Sequence, residues 1–260
     1  MLSPDNLQAY LRKAAALTHD VVETPPFVLF FNPSDDLRFY NYGVPVEPMS
    51  RLRDGDLASL RAVFAAHNRL LRFEFIEEAA PDLASAFAAA GLAEEGRNPL
   101  LVCTPEVLRP AAEVPGLVIC RLTPESQRAD LAAFISVQGQ SFGEADRVEA
   151  TDAQIEDLRR RSGLGGHYLL GLVDNYPVAT GAYTVPLDGF TELVGIATLA
   201  DYRRRGVASA LTAAMAQAAF QAGVQVAFMA AADERAGRVY ERVGFQPYAT
   251  ALAYCDMGAG

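Results

Sequence analysis

Arg203-Arg204-Arg205-Gly206-Val207-Ala208 is the stretch of this chain whose residue types and spacing do chemistry most directly. An apolar run ends at Thr198 and a helical pattern begins near Val207, so the hexapeptide reads as a turn between a strand and a helix N-terminus. The first N–H groups of a helix have no internal partner and lie at the positive end of its dipole, so such a turn is an anion site. Glycine at 206 lets a phosphate approach the backbone without meeting a Cβ. The arginines add charge and fork-shaped donors. The alternative is a basic helix cap facing solvent.

The elements that must position this turn are legible in the second half. Leu117 to Leu122 is a short apolar strand, and Ser126 to Gln140 has helical spacing. Thr151 or Asp152 caps a second helix running to about Arg161, where Arg159-Arg160-Arg161 reads as a solvated face. Three strands follow, Tyr168 to Val173, Val178 to Val185 and Thr191 to Thr198. They are joined by the turns Asp174-Asn175 and Leu187-Asp188-Gly189. A helix from Val207 to Ala222 is stopped by Gly223, and Val224 to Ala230 reads as a buried strand. Arg235 to Val243 is a helix stopped by Gly244, and Tyr248 to Cys255 is the last strand. The order βααβββαβαβ predicts an α/β fold of α+β type, with a mixed sheet in which the helix after Thr198 joins parallel strands.

The first half holds an echo of this order. Arg72 to Ile76 is a strand, Pro81 to Ala90 a helix stopped by Gly91, and Pro99 to Cys103 a strand. Placing Gly91-Leu92 on Gly244-Phe245 puts Phe87 on Tyr240 and Ala80 on Asp233. Upstream, Asp56 to Ala66 matches the helix at Val207, with Leu57-Ala58-Ser59 on Val207-Ala208-Ser209. These matches predict a degenerate duplication. The proline-bearing segment Thr104 to Pro115 is the expected linker, so the expected domains are 1–110 and 111–260.

Composition narrows the function classes. The chain of 260 residues is 51% hydrophobic, enough for a sizeable core. Its net charge of −10 disfavours phosphate-backbone binding to nucleic acid. The same charge draws cationic small molecules, or simply confers solubility. Neither a basic N-terminal leader with an apolar core nor an apolar run of 18 residues is evident, so no membrane association is expected. Three scattered cysteines, Cys103, Cys120 and Cys255, suggest neither disulfides nor a zinc site, which fits a reducing cytoplasm. His67 and His167 lie near no motif and read as structural.

Leu117 to Asp256 resembles the GNAT superfamily of acetyl-coenzyme A-dependent N-acetyltransferases. That family's pyrophosphate loop, Q/R-x-x-G-x-G/A, corresponds to Arg203 to Ala208. Its later pattern, N-x-x-A-x-x-x-Y-x-x-x-G-F, corresponds to Asp233, Ala236, Tyr240, Gly244 and Phe245, with aspartate in place of asparagine. The resemblance implies that Arg203, Arg204, Arg205, Gly206, Val207 and Ala208 cradle the pyrophosphate. It implies that Ile196, Ala197 and Thr198 hold the pantetheine arm through their backbone, and that Asp233 is a cofactor contact without the amide donor of the usual asparagine. It implies Tyr240 as the general acid that protonates the departing thiolate.

Glu192, six residues before Thr198, is the expected proton acceptor, because period-2 alternation puts both on one face. Glu144, in the loop after the first helix of this half, is its rival, and a water chain is an alternative to both. The first half lacks the loop: Arg53-Asp54-Gly55-Asp56 carries carboxylates that repel phosphate, so one cofactor site is expected. The acceptor is expected to be an amine-bearing small molecule or peptide, no metal is implied, and a homodimer is left open. A non-catalytic acyl-coenzyme A binding module is the reading from another class. A tandem transferase for a thiol-cofactor precursor or an aminoglycoside is the rival among enzymes.

Overall fold

The computed structural model describes residues 1–33, 35–47, 52, 55–142 and 149–256. The chain divides into two compact units: Met1–Leu100 with Tyr248–Gly260, and Leu101–Pro247. The expected division near residue 110 differs from this in two places. Val107, Leu108, Ala111 and Val114 of the proline-bearing segment pack on the core of the second unit. The last strand pairs with a strand of the first unit, and sequence-local patterns carry no information about such a partner.

The first unit begins with α1 (Pro4–Ala16), whose Ser3 hydroxyl accepts the Asn6 N–H. Then come β1 (Asp20–Thr24), β2 (Phe27–Phe31), β3 (Tyr42–Pro45), α2 (Asp56–Ala66), β4 (Arg72–Ile76), α3 (Leu83–Ala89) and β5 (Ala93–Cys103). β1, β2 and β3 form an antiparallel meander, and β3 runs parallel to β4 across the α2 connection. The final strand, β11 (Gln246–Cys255), lies antiparallel to β4, with Leu252 opposite Phe75. Phe27, Phe64, Phe73, Phe75 and Phe87 fill the core between this sheet and α2 and α3.

The second unit runs β6 (Leu117–Leu122), α4 (Arg128–Phe142), α5 (Asp152–Ser162), β7 (His167–Val173), β8 (Tyr176–Tyr183), β9 (Phe190–Thr198), α6 (Val207–Gln221), β10 (Val226–Ala230) and α7 (Glu234–Glu241). The mixed α/β order read from the sequence is the one observed. Thr151 closes a capping box with Gln154 at α5. Asp174 and Asn175 take positive φ in the β7–β8 turn. β6 to β9 are antiparallel, and β10 joins β9 in parallel.

α6 is positioned by its apolar stripe. Val207, Leu211, Met215 and Ala219 recur every fourth residue and are buried. Met215 is fully buried, a burial that stabilises by about 1.5–3 kcal/mol. Its Cε would lie 2.8 Å from a Cβ at Gly181, so a larger residue there would make the Met215 side chain shift. Gly181, Tyr183 and Leu193 therefore mark the α6 face of the sheet.

Candidate active site

Two features of β9 create an opening. Its parallel pairing with β10 ends at Glu192 opposite Phe228, yet β9 continues to Thr198 and β10 to Ala230. Beyond that point the strands part, and backbone groups of β9 that would face β10 are left for another partner. The second feature is a bulge. Ala182 pairs with Val194 and Thr180 with Ala197, so β9 carries one extra residue around Gly195. The Gly195 carbonyl, turned aside there, accepts from Gln138 Nε2 (3.2 Å) and Thr180 Oγ1 (3.4 Å).

The bulge corrects the expected alternation. One extra residue reverses which face each later residue takes. Glu192 shares a face with Val194 and Ala197, whereas Thr198, opposite Ala179, shares the face of Leu193. Glu192 and Thr198 therefore point to opposite sides of the sheet. The glutamate backbone is anchored to Thr184, whose Oγ1 accepts the Glu192 N–H at 3.1 Å.

The turn after β9 is built by backbone conformation. Arg204 takes φ +63° and Gly206 φ +87°, and the chain then enters α6 with no side-chain cap. The N–H groups of Val207, Ala208 and Ser209 precede the first intrahelical bond, which Ala210 donates to the Gly206 carbonyl. Their donors thus face outward at the positive end of a 15-residue helix. Arg203 braces the turn, its Nε donating to the Thr198 carbonyl (3.0 Å) and its Nη2 to the Ser141 carbonyl (3.4 Å). The guanidinium of Arg205 lies over the Tyr202 ring at 5.1 Å, and Tyr202 stacks in turn on Tyr176.

A cavity of about 710 Å³ opens on this turn, a size suited to a nucleotide-like ligand. Thr198, Tyr202, Arg203, Arg204, Gly206, Val207, Ala208 and Ser209 form one wall. The other is α7, through Asp233, Arg235, Ala236, Arg238, Val239 and Arg242. Thr198 Oγ1, at the cavity edge, is buried without a hydrogen-bond partner among the described residues. An oxygen left so is a group that a ligand could satisfy. Arg205, Ile196, Ala197, Glu192 and Tyr240 are not among the lining residues. Glu144 lies outside the described residues.

Asp233 takes a role that its sequence context left open. It is the N-cap of α7, and its Oδ1 accepts the Ala236 N–H at 2.7 Å. Aspartate and asparagine serve equally as acceptors there, which accounts for the departure from asparagine. Tyr240, the penultimate residue of α7, packs against the core that includes α6. Burial, helped by the Asp233 carboxylate, pushes its phenol above the usual tyrosine value. Gly244 follows at φ +105°, and a Cβ there would lie 2.1 Å from the Val107 carbonyl oxygen. The Gly-Phe pair thus ends α7 and buries Phe245 in the same core.

The arginines of α7 were missed in the sequence. Their spacing, 235, 238 and 242, was a readable signal, since it places them along one helix face. Among the described residues, no cluster of three or more His, Cys, Asp or Glu is placed to hold a metal ion, and no helix is long and apolar enough to cross a membrane.

A parted pair of parallel strands, a bulge, and a helix N-terminus aimed into a cationic cavity make this a candidate site for an extended anionic ligand. Residues 131–245 match the acetyltransferase (GNAT) family. That family uses acetyl-coenzyme A as co-substrate and acts on amine acceptors. The fold is similar to a GCN5-related N-acetyltransferase from Kribbella flavida, at 27% identity over 100% of this chain and 97% of that one, with a TM-score of 0.79. It is also similar to a tandem GNAT protein from the clavulanic acid biosynthesis pathway (14% identity, 91% of this chain and 81% of that one, TM-score 0.62). A third similar structure is a GCN5-related N-acetyltransferase from Sphaerobacter thermophilus (17% identity, 89% and 80%, TM-score 0.59). No curated protein matches this chain.

Proposed function

We propose that this protein is an acetyl-coenzyme A-dependent N-acetyltransferase with one cofactor site, in the second unit, that acetylates a primary amine of a small molecule or peptide. The observation that carries the reading is the Gly206 turn, whose uncapped helix N–H groups face an arginine-lined cavity. Backbone donors of Val207, Ala208 and Ser209, with Arg204, would hold the pyrophosphate. The parted edge of β9 at Ile196, Ala197 and Thr198 would hold the pantetheine arm as an added strand. The cofactor supplies an acetyl thioester.

The chain's own residues do the rest. A backbone N–H near Thr198 polarises the thioester carbonyl. Tyr240 keeps its proton at neutral pH, because burial holds its phenol above the usual range, and it can donate that proton to a leaving thiolate. Glu192, at the last parallel pair before the strands part, accepts the proton of the attacking amine directly or through water. Transfer is direct, with both substrates bound at once, and needs no metal.

Purified protein, acetyl-coenzyme A and a panel of amines, with released thiol measured, test this. Amine-dependent thiol release is expected. A second reading draws on the absence of Tyr240 and Glu192 from the cavity lining: a non-catalytic acyl-coenzyme A binding module. Tight cofactor binding without release on a broad panel would select that reading.

A further inference from the structure

We propose that Arg235, Arg238 and Arg242 of α7 form a second anion subsite, which reads the 3′-phosphate of coenzyme A and makes the site selective for the phosphorylated cofactor. The inference rests on the proposed cofactor site and goes beyond it, because the Gly206 turn accounts for only one of that cofactor's two anionic groups. A pyrophosphate bridges the two halves of coenzyme A. A separate phosphomonoester stands on its ribose and carries nearly two charges at neutral pH.

The cavity is divided in the same way. Its first wall offers the α6 N–H groups and Arg204, while Arg203 is partly taken up by two backbone carbonyls. The second wall offers three guanidinium groups on one face of α7. Seven residues of helix span roughly 10 Å, more than one phosphate covers, so this wall reaches past the turn. Among the described residues, Arg204, Arg235, Arg238 and Arg242 make no ion pair or side-chain hydrogen bond. Each lines the same cavity. The chain carries a net charge of −10, with 32 carboxylates for 22 basic side chains. Among the described residues these four arginines outnumber the single carboxylate of the lining, Asp233, a local excess of positive charge that an anion would neutralise. A monoester dianion presents three oxygens that such forks engage in charge-assisted pairs.

The test measures dissociation constants of coenzyme A and 3′-dephospho-coenzyme A by calorimetry. The wild-type protein and the single variants Arg235→Gln, Arg238→Gln and Arg242→Gln are compared, each checked for an unchanged melting temperature. The wild type is expected to bind coenzyme A at least about tenfold more tightly than the dephospho form. The ratio shrinks in one or more of the variants, while affinity for the dephospho form stays constant. Equal binding of the two compounds by the wild type overturns the 3′-phosphate subsite and leaves the cofactor site standing. Equal weakening of both compounds in the variants assigns these arginines to the pyrophosphate and also overturns it. If the wild type binds neither compound, the cofactor-site reading falls and takes the subsite with it.

Discussion

The glycines before α2 and α6 share a backbone conformation and lead into helices whose first turns differ in chemistry. Gly55 precedes α2 at φ +90°, ψ −17°, and Gly206 precedes α6 at φ +87°, ψ −6°, each without a side-chain cap. Five and nine residues further on, Leu60 and Phe64 are buried in one unit as Leu211 and Met215 are in the other. Aligning the glycines places Asp56, not Leu57, on Val207, one residue from the register expected from the Leu-Ala-Ser match. The turn at α3 repeats the turn at α7. Leu92 donates to the Phe87 carbonyl at 3.0 Å, as Phe245 does to the Tyr240 carbonyl at 3.2 Å. From these correspondences we propose that the two units descend from two copies of one fold, with boundaries other than the 1–110 and 111–260 expected from the sequence.

The arginines of the two units are used differently among the described residues. In the first unit Arg72 pairs with Glu74 (2.6 Å) and Glu95 (2.5 Å), Arg97 with Glu77 (2.5 Å), and Arg61 with Asp256 (2.6 Å). An acid, Asp56, occupies the first turn of α2, whereas α6 has none. The second unit leaves its cavity arginines unpaired among the described residues. In the second unit the helix N-terminus and the arginines of α7 and of the turn line one cavity, which is what makes it a candidate anion site. The backbone alone does not separate the two.

The largest test of that contrast is a carboxylate placed on each turn. Gly206→Glu is expected to weaken coenzyme A binding at least a hundredfold, about 3 kcal/mol. It puts a negative charge and a Cβ at the anion position. Gly55→Glu suffers the same positive-φ strain but should leave cofactor affinity unchanged. If both variants lose affinity alike by calorimetry, the contrast collapses into general destabilisation.

Next in size is the exchange of hydroxyls between corresponding helices. Tyr240→Phe is expected to lower kcat about a hundredfold, the typical scale of a general acid, with cofactor affinity unchanged. The reverse change, Phe87→Tyr, adds a hydroxyl to a fully buried aromatic core. It should cost about 1–3 kcal/mol of stability for an unpartnered polar group and leave turnover intact. Unchanged kcat in Tyr240→Phe removes that residue as the acid.

The parts of this comparison that were legible in the sequence are those set by local pattern. β4, β6 and α2 fall where expected, because an apolar run or a helical stripe bounded by turn residues needs no partner to be read. The Gly206 turn was legible for the same reason. α1 and the meander β1–β3 were not read: β1 (Asp-Val-Val-Glu-Thr) has no apolar/polar alternation and β2 is buried throughout, so neither shows the period-2 signal. The bulge at Gly195 was invisible because it exists only in the register with β8. It alone reversed the inferred relation of Glu192 to Thr198. The α7 arginines were visible as letters. Their meaning came only when α7 and the turn were seen to line one cavity.

The smallest expected effect is the most selective. Asp233 both caps α7 and raises the Tyr240 phenol, although burial is the larger cause. By spacing, the first unit has Ala80 and Phe87 at these positions, neither of which ionises. Asp233→Asn keeps the cap acceptor and removes the charge, whereas Asp233→Ala removes both. The alanine variant should lose about 1 kcal/mol of stability, and the asparagine variant almost none. A carboxylate disfavours a nearby tyrosinate, so its removal lowers the folded-state pKa of Tyr240 towards the ordinary value. An acid acts only while protonated. The alkaline fall in kcat should therefore begin at lower pH in both variants than in the wild type, and by the same amount. Cofactor affinity should rise slightly in both, since a negative charge has left the cavity. A shift in the alkaline limb confined to Asp233→Ala would trace the effect to a loosened helix, and would sever the link between the N-cap charge and the proton on Tyr240.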